Sequence, residues 1–286
     1  MIVVTGAGGT IGSELVRLLG ATEQRFRAVH RSPDKARRAV EQGMDAVAAD
    51  FARPETLRPA LDGAEALFLL SPSGPGQTER EAAAVAEARR AGVRRLVKLS
   101  VWGASEESFS FARLHRPVEK EIEASGMTWT FLRPNGFMQN LLLSAESIRT
   151  GGTFALPGGE ARISHVDARD VAASAAAALT QQGHGRKAYE LSGPEALTYG
   201  RIAQELSEVL GRPITHRDVS DQEYRDGMRG AGLTAWQADA VLDLIRYYRA
   251  GHAARVSPAV RQLTGREATP FAAFARDHAP LFQPEG

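Results

Sequence analysis

The sequence predicts an α/β protein, with a Rossmann-type doubly wound parallel sheet and a smaller, mainly helical C-terminal region that caps the substrate. Short apolar runs alternate with amphipathic segments in the first half of the chain, and a glycine-rich turn follows the first run. The second half is mostly helical. We therefore expect a Rossmann domain over residues 1–150 and the capping region over residues 151–286, with a strand near residues 188–192 returning to the sheet.

Six apolar runs are expected to form the strands: Ile2–Thr5, Phe26–His30, Ala46–Ala49, Ala66–Leu70, Leu96–Ser100 and Thr130–Leu132. The segments between them have helical spacing: Ile11–Leu19, Pro33–Gln42, Glu55–Leu61, Glu79–Ala91 and Pro117–Ala124. This alternation implies parallel strands joined by right-handed crossovers, in a sheet covered on both faces. Farther along, we expect a helix over Asp167–Leu179 and strands at Ala188–Ser192 and Ile214–Val219.

Composition excludes several classes of protein. The net charge of +1 comes from 35 basic and 34 acidic residues, which gives no basis for binding nucleic acid or an anionic membrane. The absence of cysteine excludes disulfides and zinc–thiolate sites, and the histidines lack metal-ligand spacing, so we expect no metal. Without a spanning apolar run or a signal peptide, the chain is expected to be cytoplasmic, as a monomer or homodimer.

The glycine-rich turn after the first strand, Thr5–Gly12, has the spacing G-x-x-G-x-x-G. Gly6 permits a tight turn, Gly9 lets a pyrophosphate approach the backbone, and Gly12 lets the helix pack against the sheet. The start of the helix then offers N–H groups and a positive dipole end to the phosphates. The residues expected to hold them are Gly6, Gly9, Thr10, Ile11 and Gly12. The alternative is a turn that merely closes a hairpin.

The residues after the second strand predict NADP(H) as the cofactor. An NAD enzyme usually places an acid there, to accept the ribose 2′-hydroxyl. This chain has Arg31, whose guanidinium can clamp a 2′-phosphate, with Ser32 and Lys35 as further contacts, and no carboxylate before Asp34. The alternative is a solvated basic turn.

Further cofactor contacts are expected where other strands end. Asp50 and Phe51 follow the third strand at the adenine position, and Ser71 follows the fourth along the nicotinamide path. After the sixth strand, the backbone of Pro134 and Asn135 can contact the nicotinamide carboxamide, although this segment could equally be only a turn.

Several motifs taken together resemble one family. They are TGAGGTIG (5–12), HRSPDK (30–35), ADF (49–51), LVKLSVWGA (96–104), HRPVEKEIEASGMTWTFLRPNGFMQNL (115–141) and ISHVDARDVA (163–172). This set resembles the NmrA-like branch of the atypical short-chain dehydrogenase/reductases, and residues 192–220 are similar to its ergot-alkaloid iminium reductases. The resemblance covers nearly the whole chain and implies the Rossmann fold and NADP(H). Relatives in this branch include quinone and triphenylmethane-dye reductases, and also a nucleotide-sensing regulator without chemistry.

The chain lacks the Tyr-x-x-x-Lys pair with which many short-chain dehydrogenases protonate a carbonyl oxygen. Ser100 can keep the serine position and Lys120 the lysine position, but Arg116 then fills the tyrosine position. His115, expected at a helix start and on the same face as Glu119, could donate a proton near physiological pH, or the two could form only a surface pair. The catalytic candidates are therefore Ser100, His115 and Lys120.

Without a strong proton donor, the favoured substrates are electrophiles that accept hydride without concerted protonation, such as a quinone or an iminium ion. We predict an NADPH-dependent reductase of a small aromatic or conjugated compound. The alternatives are a non-catalytic NADP(H)-binding sensor and a nucleotide-sugar epimerase, which the missing tyrosine disfavours.

Aromatic and apolar side chains expected at the sheet edge and in the cap predict a substrate pocket. The candidates are Trp102, Phe137, Met138, Asn140 and Tyr247. The cap also offers Trp236 and Tyr248, and one or two of its three aromatic residues could face inward. Trp102 precedes a loop-like Gly-Ala-Ser, which argues against deep burial, and His165 is expected to be structural. The alternative for the aromatic residues is core packing.

Overall fold

The computed structural model describes residues 1–284. The chain divides into two compact units. Unit 1 comprises Met1–Glu107, Ala112–Arg133 and Val171–Glu190. Unit 2 comprises Ser108–Phe111, Pro134–Asp170 and Leu191 onwards. The two units alternate along the chain, so neither is a single continuous stretch.

The strands are β1 (Ile2–Val4), β2 (Phe26–His30), β3 (Ala46–Ala48), β4 (Ala66–Leu69), β5 (Arg95–Leu99), β6 (Thr128–Pro134), β7 (Thr153–Ala155), β8 (Lys187–Leu191) and β9 (Thr215–Arg217). The helices are α1 (Thr10–Gly20), α2 (Pro33–Glu41), α3 (Leu57–Leu61), α4 (Gln77–Arg90), α5 (Ser110–Ala124), α6 (Ala145–Gly151), α7 (Ala168–Thr180), α8 (Tyr199–Leu210), α9 (Asp221–Gly230), α10 (Ala235–Arg249), α11 (Ala259–Thr264), α12 (Phe271–Asp277) and α13 (Ala279–Phe282). Short 3₁₀ segments lie at Pro54–Thr56, Ala104–Glu106 and Met138–Ser144.

A seven-stranded sheet forms the centre of unit 1, in the order β3-β2-β1-β4-β5-β6-β8. The five pairings from β3 to β6 are all parallel. Every residue of β1 and β4 is buried, as expected for apolar strands covered on both faces. The chain leaves β1 toward β3 and then crosses back to β4, which confirms the predicted Rossmann-type α/β fold and places the topological switch between β1 and β4.

Helix α5 differs from the sequence prediction, because it begins at Ser110 and contains Pro117. A proline inside a helix removes one backbone hydrogen bond and usually ends the helix. Here the helix buries an apolar side on both sides of the proline, including Ala112 and Ile122. This packing outweighs the lost bond, so His115 lies in the helix interior rather than at its start.

Unit 2 contains a small two-stranded sheet, β7 paired in parallel with β9, surrounded by helices. The sequence predicted β9, slightly too long, but not the three-residue β7. Hydrogen bonds join distant segments of this unit: Asn135 donates to the Ser164 hydroxyl and to the Ala253 carbonyl, each at 2.9 Å. Within residues 1–284, no helix combines the length and apolarity needed to cross a bilayer. The same residues contain no cluster of potential metal ligands.

Candidate functional site

The glycine loop between β1 and α1 has the geometry that its spacing predicts. Gly6 has φ +67°, and a Cβ there would lie 3.1 Å from the Leu70 carbonyl oxygen. A Cβ on Gly12 would lie 2.1 Å from the Gly6 carbonyl oxygen, which no side chain could tolerate. Gly9 is different, because its Cβ would meet no atom closer than 3.5 Å. The fold itself therefore requires Gly6 and Gly12, whereas Gly9 leaves open space outside the loop.

Helix α1 begins at Thr10, with Gly9 as its N-cap, no side-chain cap and no acid in its first turn. The N–H groups of a first helical turn lack intrahelical acceptors and carry the positive end of the helix dipole. This end of α1 can therefore accept an anion that approaches over Gly9.

Basic residues lie beside this loop. A Cβ on Gly8 would lie 3.3 Å from His30 Nδ1 and 3.8 Å from Lys35 Cδ, so the start of α2 is close to the glycine turn. Ser32 caps α2 by accepting the Lys35 N–H at 3.4 Å. Arg31 is exposed and has no hydrogen bond or ion pair with the described residues. Its guanidinium is therefore available to a ligand phosphate.

Asp50 and Phe51 lie just beyond β3, as the sequence predicts. Asp50 Oδ1 accepts the Ala52 N–H at 3.0 Å, and the Asp50 N–H donates to Thr56 Oγ1 at 2.9 Å, so these bonds fix the turn. Phe51 is partly buried against the core of unit 1. Contact of either residue with adenine stays a prediction.

Ser71, after β4, is held by a buried ion pair that the sequence analysis missed. Its hydroxyl donates to Glu81 Oε1 at 2.6 Å, and the other Glu81 oxygen pairs with the Lys98 ammonium. Gln77 Nε2 also donates to Glu81, at 3.3 Å. All four side chains are almost fully buried. Because the Ser71 hydroxyl donates its proton to the Glu81 carboxylate, the Ser71 oxygen can act toward another group only as a hydrogen-bond acceptor.

Ser100, after β5, has an equivalent arrangement. Its hydroxyl donates to Glu119 Oε1 at 2.7 Å, and Arg133 binds both Glu119 oxygens at 2.9 and 2.7 Å. Burial alone would raise the pKa of Glu119, but hydrogen bonds and charge from Arg133, with help from Ser100 and Arg116, place it below its usual value. Glu119 is therefore ionised, and Ser100 faces any ligand as an acceptor rather than as an acid.

The structure does not bring His115 and Lys120 into this arrangement. His115 does not pair with Glu119; its Nε2 lies 3.3 Å from Gln77 Nε2. Burial, and then the charge of Lys98, lower the pKa of His115 well below its usual value, so the expectation that it titrates near physiological pH is wrong. The side chain of Lys120 is 56% exposed and pairs with Glu107 at 2.6 Å. Arg133 on β6, not Lys120, supplies the charge beside Ser100.

A cavity of about 740 Å³ lies within unit 2. The structure brings Phe137, Met138 and Asn140 together on its wall, as the sequence predicts. Before them, Pro134 is buried, and Asn135 Oδ1 accepts the Gly136 N–H at 2.9 Å, which holds this turn rigid. The proposed contact of Pro134 and Asn135 with nicotinamide stays a prediction.

Besides Asn140, the cavity wall carries uncharged polar side chains that were not among the predicted site residues. They include His165, Tyr199, Tyr224 and Tyr248. Burial raises the pKa of all three tyrosines, so their hydroxyls stay protonated. Burial lowers the pKa of His165 to about 4, so its ring is neutral near pH 7. The buried part of the cavity wall is therefore mainly apolar with uncharged hydrogen-bonding groups, and the charged Arg217 and Glu223 lie at its exposed part.

The surroundings of two residues predicted to contact substrate differ from those expected, and their contact with substrate stays a prediction. Trp102 is only 4% exposed, so the loop-like residues that follow it do not keep its side chain at the surface. Tyr247 does not line the cavity; it packs on Phe109 and His252, with ring centroids 4.6 Å apart in both cases. The neighbouring Tyr248 takes the place predicted for Tyr247.

Comparison with known proteins adds the family. A model described as NAD(P)H-binding matches residues 6–182. NAD(P)H azoreductase of Xenophilus azovorans is 39% identical over 99% of both chains. The (4-alkanoyl-5-oxo-2,5-dihydrofuran-3-yl)methyl phosphate reductase of Streptomyces griseus is 40% identical over the full length of both. Among solved structures, the NADPH-dependent quinone oxidoreductase of Escherichia coli in complex with NADPH has a TM-score of 0.88 and 30% identity, covering 98% of this chain and 99% of that one.

Proposed function

The chain belongs to the NAD(P)H-binding family and is an NAD(P)H-dependent oxidoreductase, and we propose that it transfers hydride from NADPH to small conjugated electrophiles such as quinones. The resemblance to NmrA-like reductases is confirmed by these relatives. The observation that carries the proposed substrate class is the mainly apolar cavity of unit 2, whose buried polar groups are uncharged. A cavity of this kind suits a flat, neutral ring system.

The choice of NADPH over NADH rests on the groups beside the glycine loop. Arg31 is exposed and without a partner among the described residues, and Lys35 lies beside Gly8. Together they supply two positive charges for the 2′-phosphate, while the first turn of α1 and the open face of Gly9 receive the pyrophosphate. NADPH supplies the hydride when it is bound.

The residues of unit 1 position the cofactor rather than move a proton. The Ser71 and Ser100 hydroxyls each donate to a buried carboxylate, so both offer acceptor oxygens beyond β4 and β5. A nicotinamide carboxamide has N–H groups that such oxygens can accept. A proton on Ser100 could reach the substrate only if the bond to Glu119 broke. The proposed substrates are therefore those whose reduced form tolerates a delayed proton, such as a quinone, whose product anion is delocalised.

We also propose that the enzyme works in the cytoplasm, as a monomer or homodimer, on an aromatic or conjugated small molecule. The near-neutral net charge of +1 supports a neutral partner rather than a polyanion.

The test is NADPH oxidation in the presence of a quinone, an azo dye and a cyclic imine, with a reaction lacking any acceptor as the control. We expect turnover with at least the quinone, and weaker turnover with NADH at the same concentration. NADPH binding in calorimetry, combined with no turnover on any acceptor, would replace this proposal with a non-catalytic sensor.

A further inference from the structure

Two tyrosines of the unit 2 cavity carry hydroxyls without partners. Tyr199 and Tyr248 are 8% and 7% exposed, and neither hydroxyl has a hydrogen-bond partner among residues 1–284. Both hydroxyl oxygens nevertheless keep solvent-accessible surface. A buried hydroxyl without a partner costs free energy unless a ligand or water completes it. Both hydroxyls can therefore be completed by water, or by a ligand that brings a hydrogen-bond acceptor.

Gly136, His165 and Tyr248 line the same part of the cavity. A Cβ at Gly136 would lie 3.0 Å from Tyr248 Oη and 3.0 Å from His165 Cδ2, which is closer than an ordinary contact, so glycine lets the chain pass beside the Tyr248 hydroxyl without crowding it. The φ of Gly136 is not in the left-handed region, so its backbone does not itself require glycine. The reason for glycine here is the close approach of its backbone to the Tyr248 hydroxyl.

The surrounding charges indicate that the acceptor is neutral. His165 is uncharged near pH 7, and at the cavity wall Arg217 pairs with Glu223 at 2.6 Å, so those two charges compensate each other. An anion would find no unpaired cation among these groups. The carbonyl oxygen of an aromatic compound meets both requirements, because it accepts a hydrogen bond and carries no net charge.

We propose that the Tyr248 hydroxyl donates a hydrogen bond to the carbonyl oxygen of the bound electrophile and selects carbonyl-bearing rings over hydrocarbons of the same shape. This inference rests on the proposed function. Tyr248 acts as a binding residue and keeps its proton. In quinone reduction, NADPH loses a hydride and becomes NADP⁺, the quinone gains that hydride, and the hydroquinone monoanion takes its remaining proton from water.

The experiment measures binding without turnover. Protein saturated with NADP⁺, which has no hydride to give, is titrated with 1-tetralone and with tetralin, the same bicyclic frame without the carbonyl. Tyr248→Phe should weaken tetralone binding about tenfold and leave tetralin binding unchanged, as expected for one lost hydrogen bond. Tyr247→Phe is the matched control, because Tyr247 packs on Phe109 and His252 outside the cavity wall and should change neither affinity.

Gly136→Ala gives a second test, because its methyl group would lie 3.0 Å from Tyr248 Oη and should displace this hydroxyl, which should also weaken tetralone binding. The inference is overturned if tetralone does not bind the wild-type protein, or if it binds wild type and Tyr248→Phe equally. Quinone turnover with NADPH is measured in parallel on the same proteins. Turnover with no effect of Tyr248→Phe overturns the inference alone, whereas carbonyl-selective binding through Tyr248 with no turnover overturns the proposed function alone.

Discussion

Replacing Arg31 with alanine should remove most of the preference for NADPH without affecting the fold. Arg31 is exposed and has no hydrogen bond or ion pair with the described residues, so no interaction within the protein is lost. The variant should therefore unfold at the wild-type temperature. Only the contact with the 2′-phosphate of the cofactor should disappear.

The size of the effect follows from the type of bond. A hydrogen bond to a charged group contributes about 1.5–3 kcal/mol. At about 1.4 kcal/mol per factor of ten, this corresponds to a Kd for NADPH roughly 10–150 times higher. The site is exposed, so the effect should shrink as salt is added. The Kd for NADH, which lacks the 2′-phosphate, should stay within about twofold, since no charged bond is lost.

Isothermal calorimetry with NADPH and NADH at one fixed ionic strength measures both constants. Arg37→Ala is the matched control: it removes the same charge from the neighbouring helix α2, where Arg37 pairs with Asp34 at 2.6 Å. Equal losses for both cofactors in Arg31→Ala, or an equal loss of NADPH affinity in Arg37→Ala, would refute the role given to Arg31.

Three further predictions concern the loop, the serine and pH. Gly9→Ala should leave stability unchanged, because its Cβ meets no protein atom within 3.4 Å, yet it should weaken NADPH binding. Gly12→Ala should reduce both the melting temperature and NADPH binding, because its Cβ would lie 2.1 Å from the Gly6 carbonyl oxygen. Ser100→Ala should lower kcat by less than about a hundredfold, the smallest loss typical of a general acid–base group, and a larger loss with cofactor binding intact would contradict its role as an acceptor. Burial is the main reason that the pKa of His165 is lowered to about 4, below that of a histidine in the unfolded chain. Between pH 6.5 and 4 the unfolded chain therefore binds more protons than the folded protein, so the stability of the fold falls as the pH falls. His165→Gln should flatten this dependence by about 1–3 kcal/mol in chemical denaturation, and an unchanged slope would show that folding does not lower the pKa of His165.

The fold was predictable because its determinants are local. The strands of unit 1 are apolar runs a few residues long, and the glycine spacing follows in part from a local contact, that of Gly12 with Gly6. The errors arose where packing overrides a local rule. Helix α5 continues through Pro117 because it buries apolar residues on both sides, and the short strand β7 exists only by pairing with β9, about sixty residues away.

The candidate site was less predictable for two reasons. The residues that contact Ser100 are distant from it in sequence, and which tyrosine of a helix reaches the cavity depends on how that helix is rotated about its axis. The sequence identifies Ser100 but cannot reveal that Glu119, from a helix, and Arg133, from another strand, meet it. Tyr247 and Tyr248 are adjacent on one helix, about 100° apart around its axis. Only the packing of α10 shows that Tyr248 and not Tyr247 reaches the cavity.

The hydrogen bonds of Ser71 and Ser100 give a reason for the two buried ion pairs of unit 1. Glu81 with Lys98 and Glu119 with Arg133 are almost fully buried ion pairs, and removing one partner of such a pair typically costs about 3–5 kcal/mol. Apolar residues of similar volume would often be no less stable, so stability alone does not account for these pairs. What they provide is a fixed hydroxyl direction, because Ser71 and Ser100 each donate to one carboxylate and present only lone pairs beyond β4 and β5. A hydroxyl that cannot rotate binds a carboxamide N–H in one orientation, and the proposed hydride transfer without a proton donor depends on such positioning.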